Sequence, residues 1–280
     1  MFFFITVILL HKLKIISFTS HKQNQIMSSG QVNTIVNGKI AEITFHHPQS
    51  NSLPGMLLMQ LASEIEKAGN DENTTVILLK SEGEKTFCAG ASFDELVAIE
   101  NLEQGKKFFS GFAAVINAIR KAPKFVIARV QGKAVGGGVG IACAADYTFA
   151  TMAASVKLSE LAVGIGPFVV GPAVERKIGN SAFSSMSINA TEWQDASWAK
   201  EKGMYAEVHE SIEGMDQSIS NLTTKLSNSN PEAMKELKKV FWEGTENWDT
   251  LLVERAEISG KLVLSDFTRQ SIAKFKQGAR

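Results

Sequence analysis

VGGGVG, residues 135–140, lies between an apolar run at 125–130 and a run of small residues at 141–145. A strand that leads through three consecutive glycines into a helix presents bare backbone N–H groups, and the positive end of the helix favours negative charge beside them. Residues 135–140 therefore predict a strand–helix unit with a site for an anion or an oxyanion.

Two nucleotide-binding motifs fail to match this stretch. The dinucleotide pattern G-x-G-x-x-G, started at Gly138, requires glycine at position 143, where the chain has Cys143. A P-loop ending in Gly-Lys-Ser or Gly-Lys-Thr is absent from the sequence. The three glycines therefore have a different partner.

Composition limits what the chain can bind. Its 280 residues are 44% hydrophobic and 21% charged, which is typical of a folded protein of one large or two ordinary domains. The 29 basic and 29 acidic residues give a net charge of +0, which argues against binding of nucleic acid or an anionic membrane. Cys88 and Cys143 form no Cys-x-x-Cys pair, and His46-His47 has no third ligand nearby in sequence. We therefore expect a small-molecule partner, no metal and a reducing, cytoplasmic location.

The first 26 residues differ from the rest of the chain. The apolar run at 2–10 is too short to span a bilayer, with no basic residue ahead of it and no small-residue cleavage site behind it. A polar lead begins at Met27 and runs into the first predicted strands. We interpret residues 1–26 as an atypical N-terminal extension and hypothesise that translation begins at Met27. An intact mass of the native protein that includes residues 2–26 would contradict this hypothesis.

Beyond residue 27, strand patterns alternate with helix patterns, which is typical of a layered α/β fold. The turn signal Asn37-Gly38 predicts a hairpin between strands at 32–36 and 39–45. The other predicted elements are strands at 75–80, 125–129 and 147–150, helices at 54–67 and 92–121, and a short helix after the three glycines. After residue 181 the pattern is helical throughout.

A second strand-to-helix turn precedes the glycines. Residues 86–93, Thr-Phe-Cys-Ala-Gly-Ala-Ser-Phe, follow a strand and turn on small side chains into a helix that begins near Asp94. Because both turns lack bulky side chains, each can contribute one backbone N–H to the same oxygen. Asp146, between the short helix and the next strand, is predicted to be structural, as a cap or a buried partner for backbone donors.

Four motifs occur in an order that resembles the crotonase superfamily of enoyl-CoA hydratases and isomerases. They are Phe-Cys-Ala-Gly-Ala at 87–91, Gln-Gly-Lys-Ala-Val-Gly-Gly-Gly at 131–138, Asp146, and Leu-Ser-Glu-Leu-Ala-Val-Gly-Ile at 158–165. The resemblance covers residues 30–280 and implies an α/β fold, the crotonase-like (ClpP/crotonase) spiral of repeated β-β-α units. It implies a core at 27–190, a C-terminal helical oligomerisation subdomain at 191–280, and a homotrimer or hexamer. The implied substrate is an acyl-CoA thioester, with no separate cofactor.

The resemblance also implies roles for individual residues. The N–H groups of Ala91 and Gly137 match the pair that holds the thioester carbonyl in crotonases. Substrate contacts are implied at Lys85, Ala89, the Ser50-Asn51-Ser52 turn, Gly138, Gly140 and Phe168, and a contact with a neighbouring subunit's coenzyme A at Lys276. Asp94 departs from the family, since many members carry a lysine there for the phosphates of coenzyme A.

Glu160 is the predicted catalytic group, because it matches the family's catalytic glutamate and lies in a mostly apolar segment that favours a raised pKa. Hydratases of the family pair this glutamate with a second one, and Gly140 stands in that position here. One carboxylate suffices to move a double bond from Δ3 to Δ2. Ser159-Glu160 followed by Pro167-Phe168 looks similar to the mitochondrial short-chain enoyl-CoA isomerases.

We therefore expect a single-base enoyl-CoA isomerase. A methylglutaconyl-CoA hydratase-like enzyme is an alternative if another acid, or a carboxylate of the substrate, replaces the missing glutamate. A non-catalytic acyl-CoA-binding or assembly subunit is a second alternative, against which the presence of Glu160 argues. Binding of nucleic acid, as in some relatives of methylglutaconyl-CoA hydratase, is disfavoured by the balanced charge.

Overall fold

A computed structural model of the chain describes the backbone of residues 30–278 and side chains as far as residue 274. The hypothesis about residues 1–26 and the expected role of the Lys276 side chain lie outside the described residues. Within 30–278, no helix is both long and apolar enough to cross a membrane.

A six-stranded sheet forms the centre of the fold. Its strands lie in the order β1-β2-β3-β5-β7-β10 and are Gln31–Asn37, Ile40–His46, Val76–Ser81, Phe125–Val130, Tyr147–Thr151 and Glu207–His209. The first two strands form the antiparallel hairpin that Asn37-Gly38 predicts, with Gly38 at a φ of 59°. The other neighbours are parallel, as in α/β folds with helical connections.

A smaller sheet carries the two strand-to-helix turns. Its strands are β4 (Thr86–Cys88), β6 (Lys133–Val135), β8 (Ser155–Lys157) and β9 (Gln194–Asp195). Strands β4, β6 and β8 are parallel, so β4 and β6 end at the same edge of the sheet. The segments that follow them, 89–91 and 136–138, therefore leave the sheet side by side.

Helices cover the sheets. They are α1 (Gly55–Asn70), α2 (Phe93–Val97), α3 (Leu102–Lys121), α4 (Gly137–Ala144), α5 (Gly171–Ile188), α6 (Ala196–Glu201), α7 (Ile212–Ser227), α8 (Pro231–Phe241), α9 (Trp248–Leu262) and α10 (Asp266–Gly278). The single helix predicted at 92–121 is wrong, because α2 ends at Val97 and Asn101 caps a new helix by accepting from the backbone N–H of Gln104 at 3.0 Å.

The expectation of an all-helical chain after residue 181 is also wrong. Glu207–His209 pairs in parallel with Tyr147–Thr151, so a segment of the predicted C-terminal subdomain completes the main sheet, and Gln194–Asp195 pairs with β8. Each strand has at most three residues and no apolar alternation, so periodicity could not detect it. Their backbone pairing depends on the edges that β7 and β8 offer.

Asp146 joins the C-terminal helices to the core. Its Oδ2 accepts from the backbone N–H of Val126 at 2.8 Å and pairs with Nζ of Lys238 at 2.5 Å, and its Oδ1 accepts from Nε1 of Trp242 at 3.0 Å. The side chains of Asp146 and Lys238 are only 6% and 3% exposed. The structural interpretation of Asp146 is therefore confirmed.

We predict that Lys238→Ala strongly destabilises the fold, because it leaves the Asp146 carboxylate buried without its cation. The free energy of unfolding, measured by urea denaturation, should fall by about 3–5 kcal/mol. Lys239→Ala removes a surface ion pair with Glu236 and should cost less than about 1 kcal/mol. Equal losses in the two variants would contradict the role given to this pair.

Candidate functional site

The turns after β4 and β6 touch through backbone atoms. Gly90 has a φ of 92°, and a β-carbon added to it would lie 3.0 Å from the carbonyl oxygen of Val135 and 3.8 Å from the nitrogen of Gly137. Among the described residues, no acceptor pairs with the N–H of Ala91 or of Gly137. Two unpaired amides therefore belong to adjoining loops, as the sequence predicts, and Gly137 begins helix α4, whose dipole favours negative charge there.

Glu160 lies against the same turn. A β-carbon on Gly136 would lie 2.9 Å from Oε1 of Glu160, and Gly136 has a φ of 51°. Oε2 of Glu160 is fully buried and has no hydrogen-bond partner among the described residues, although part of the residue is exposed. Burial raises the pKa of Glu160 to about 7, against a smaller lowering by its own backbone. Burial therefore favours the protonated form of this carboxyl well above the pH at which an exposed glutamate ionises.

The segment after Glu160 is held by the C-terminal helix. The Glu160 carbonyl accepts from the N–H groups of Val163 at 3.2 Å and Ile165 at 3.0 Å. Gly164 ends this turn with a φ of 82°, and its carbonyl accepts from the Thr268 hydroxyl at 2.8 Å. Thr268 is completely buried, so helix α10 fixes the loop that carries Glu160.

The glycines of α4 pack closely against their neighbours. A β-carbon on Gly138 would lie 2.6 Å from the Cys88 carbonyl oxygen, and one on Gly137 would overlap the Phe112 ring. Close packing is the ordinary explanation of a glycine cluster, and it applies here. It does not exclude a functional role, because the N–H of Gly137 has no acceptor among the described residues. The contact of Phe112 with Gly137 depends on how α3 packs, which no local sequence pattern encodes.

Gly140 packs against the start of helix α5. A β-carbon on Gly140 would lie 2.5 Å from Cγ1 of Val170, and Val170 is only 4% exposed. The space that a side chain at position 140 would enter is thus filled from the start of α5. This packing concerns only the side of Gly140 that a β-carbon would occupy, and the predicted contact of Gly140 with substrate stays a prediction.

The residues expected at coenzyme A surround the first turn. Lys85 is exposed and has no ion pair within the described part of the chain, and Ser50 is exposed with a φ of 54°. The N–H of Ala89 donates to the Ser50 carbonyl at 3.2 Å, so this amide is already used. Asp94 is exposed and accepts from Nε2 of Gln49 at 3.1 Å. Among the residues expected at coenzyme A that the structure describes, Lys85 therefore provides a cation without an ion pair.

Phe168 lines a cavity that is separate from the turns with Ala91 and Gly137. It lines a cavity of about 360 Å³ whose lining includes Leu161, the residue next to Glu160, together with Glu175 and Arg255. Glu160, Ala91 and Gly137 are not part of that lining. The structure thus brings the two adjoining turns with Ala91 and Gly137 close to Glu160, and Phe168 lines the cavity beside them.

A polar network that the sequence analysis missed supports the first turn. Asn51 is buried and bonds through its side chain to three backbone groups, and the Ser52 hydroxyl lies 3.1 Å from Nδ1 of His47. The sequence predicts the Ser50-Asn51-Ser52 turn itself, but not these bonds, because Asn51 bonds to Glu82 and Thr86 far along the chain. In the part of the chain that the structure describes, no three His, Cys, Asp or Glu side chains cluster as metal ligands would.

Comparisons with known proteins identify the family. Residues 36–277 match the family model described as enoyl-CoA hydratase/isomerase. The chain is 27% identical over 240 residues to the short-chain-enoyl-CoA hydratase of Clostridium acetobutylicum, covering 85% of this chain and 91% of that protein. It is 31% identical over 200 residues to the mitochondrial methylglutaconyl-CoA hydratase of Rattus norvegicus, covering 70% and 63%.

A solved structure supports the fold as well. The crystal structure of an enoyl-CoA hydratase from Mycobacterium avium is similar with a TM-score of 0.79 and 26% identity, and the match covers 88% of this chain and 96% of that one. The predicted crotonase-like α/β fold is therefore confirmed.

We predict that the raised pKa of Glu160 makes the folded protein less stable as pH rises. Between the ordinary value of 4.5 and about 7, the unfolded state loses this proton and the folded state keeps it, so unfolding becomes more favourable. The free energy of unfolding of Glu160→Gln minus that of the parent should therefore grow from pH 4.5 to about 7 and stay constant above.

Urea denaturation across this pH range checks the prediction. Glu243→Gln, which changes an exposed carboxyl in the same way, serves as the control and should give a flat difference. A flat difference for Glu160→Gln as well would contradict the burial of its carboxylate.

Proposed function

Since the chain belongs to the enoyl-CoA hydratase/isomerase family, we propose that it moves the double bond of an enoyl-CoA thioester with Glu160 as its single acid–base group. The observation that carries this proposal is the filled space at Gly140, where Val170 leaves no room for a second acid. The unpaired N–H groups of Ala91 and Gly137 are assigned to the thioester oxygen.

The proposed reaction uses Glu160 twice, first as a base and then as an acid. The Glu160 carboxylate removes a proton from C2 of a 3-enoyl thioester, and the electrons move onto the carbonyl oxygen to give a dienolate. Protonated Glu160 then returns the proton to C4, which gives the 2-enoyl thioester without water or a cofactor. A group with a pKa of about 7 suits both steps, because it gains and loses a proton near neutral pH.

The two amides supply the electrostatic part of the barrier reduction. Negative charge grows on the thioester oxygen in the dienolate, so donors fixed in advance stabilise the transition state more than the substrate. Loss of one such donor typically costs about 2.7–4 kcal/mol of barrier. Gly136 and Gly90 allow both backbones to approach that oxygen without side chains in the way.

A hydratase is the second candidate, and the names of the relatives favour it, since both relatives described above are hydratases. Hydration requires a positioned water and a proton delivered to the α-carbon, which one carboxylate would have to accomplish alone. A non-catalytic acyl-CoA binder is the third candidate and predicts no turnover at all.

The decisive experiment incubates the purified protein with 3-enoyl-CoA and 2-enoyl-CoA of several chain lengths in heavy water. We expect 2-enoyl-CoA from the 3-enoyl substrates, with deuterium incorporated at carbon and no 3-hydroxyacyl product. The rate should rise with pH as Glu160 ionises near pH 7, and Glu160→Gln should lower kcat by about 10²–10⁴.

Glu243→Gln is the matched control and should keep the parent rate, because this carboxyl is exposed and far along the chain from the site. A 3-hydroxyacyl product as the main outcome would favour the hydratase. Acyl-CoA binding without any turnover, in the parent and in Glu160→Gln alike, would favour the binder.

We also predict that opening the space at Gly140 adds hydration. Gly140→Glu alone should lose about 1–3 kcal/mol of unfolding free energy, because its side chain meets Val170. Combined with Val170→Gly, it should hydrate 2-enoyl-CoA at least about tenfold faster than the parent, since a second acid–base group is then available.

Two variants control this experiment. Val170→Gly alone opens the space without an acid, and Gly140→Gln with Val170→Gly adds the same shape without a carboxylate. Both should stay at the parent rate of hydration. Equal hydration by the glutamine variant would contradict the role of the second carboxylate.

A further inference from the structure

Ser50 and Asn51 form an unfavourable backbone turn beside the loop that carries Ala91. Their φ angles are 54° and 55°, and within residues 30–278 no other non-glycine residue has a positive φ. The β-carbon disfavours this conformation, so it persists only where surrounding contacts impose it. Two such residues in succession indicate that contacts with neighbouring segments impose this backbone conformation.

The side chain of Asn51 holds this turn. Its Nδ2 donates to the carbonyls of Glu82 at 2.8 Å and Thr86 at 2.9 Å, and its Oδ1 accepts from the N–H of His47 at 3.0 Å. Asn51 is 4% exposed, and both N–H bonds of its amide are used. These bonds connect the turn to the end of β2, to the end of β3 and to the start of β4.

The Ser50-Asn51 turn also holds the loop around Ala91. The Ser50 carbonyl accepts from Ala89 at 3.2 Å. Leu53 donates to the Gly90 carbonyl at 2.8 Å and accepts from Ser92 at 3.3 Å. Both neighbours of Ala91 are thus fixed from one side, and its own N–H is left unpaired among the described residues.

We propose that Asn51 is a positioning residue that sets the direction of the Ala91 N–H. This inference rests on the proposed function, in which that N–H holds the thioester oxygen. Since the oxygen gains charge only on the way to the dienolate, a misdirected donor weakens the transition state more than substrate binding. The loss therefore falls on kcat and leaves KM nearly unchanged.

Asn51→Asp tests the proposal. It keeps the size and the acceptor for His47, but it turns an oxygen toward the carbonyls of Glu82 and Thr86. Asn51→Gly is the second variant, because glycine adopts the positive φ freely while losing all three side-chain bonds. Asn228→Asp is the control, since its Nδ2 also donates to a backbone carbonyl, that of Thr224 at 2.9 Å, on an exposed helix end.

Two ligands separate positioning from general damage. Butyryl-CoA is saturated and reports ground-state binding, whereas acetoacetyl-CoA reports the oxyanion site through the near-ultraviolet absorbance of its enolate. In both Asn51 variants, kcat for isomerisation and the affinity for the acetoacetyl-CoA enolate should fall by about 10- to 100-fold. The Kd for butyryl-CoA should stay within about threefold, as for Asn228→Asp.

Each other outcome overturns the inference in a recognisable way. Equal losses for both ligands would show that Asn51 has only a structural role. No loss of kcat in either Asn51 variant would show that it does not position the Ala91 N–H. If the parent protein neither isomerises 3-enoyl-CoA nor generates the enolate signal, the proposed function fails, and the inference built on it fails with it. If the parent has both activities and the Asn51 variants are unaffected, the proposed function stands and only the role of Asn51 is refuted.

Discussion

Backbone contact between the turns after β4 and β6 is the constraint on which the site depends. A β-carbon would lie 3.0 Å from the Val135 carbonyl oxygen if placed on Gly90, and 2.6 Å from the Cys88 carbonyl oxygen if placed on Gly138. Only glycine therefore allows the two loops to adjoin with their amides unpaired. The small sheet provides the rest of the arrangement, because its parallel strands end at one edge and deliver both loops there.

Two acidic residues near the core show how differently the chain treats buried charge. The Asp146 carboxylate is paired with Lys238 and accepts from Val126 and Trp242, so its burial is compensated. Glu160 has a buried oxygen with no partner among the described residues and a pKa of about 7. Strong perturbation without compensation is typical of functional carboxyls. The same contrast separates the residue that stabilises the fold from the one assigned to chemistry.

The sequence predicted the features whose causes are local. Asn37-Gly38 specified the hairpin, and the glycines specified the turn into α4, since turn conformation depends on the residues in the turn itself. It did not predict β10, because three residues carry no period and their pairing depends on β7. Val170 escaped prediction for a related reason: its contact with Gly140 depends on how α5 packs against α4, which no local pattern encodes.

The filled space at Gly140 bears on the choice between isomerisation and hydration beyond the absence of an acid. A glutamate lost without compensation would leave a cavity, which in a polar site would hold water. Here the isopropyl group of Val170 occupies the volume beside Gly140, and the Phe112 ring packs against Gly137. Apolar side chains therefore line the first turn of α4, and an amide in apolar surroundings interacts more strongly with an oxyanion than one in water. An apolar side chain beside Gly140 thus fits the proposed isomerisation better than hydration, because it leaves no volume there for a second acid and for the water that this acid would position.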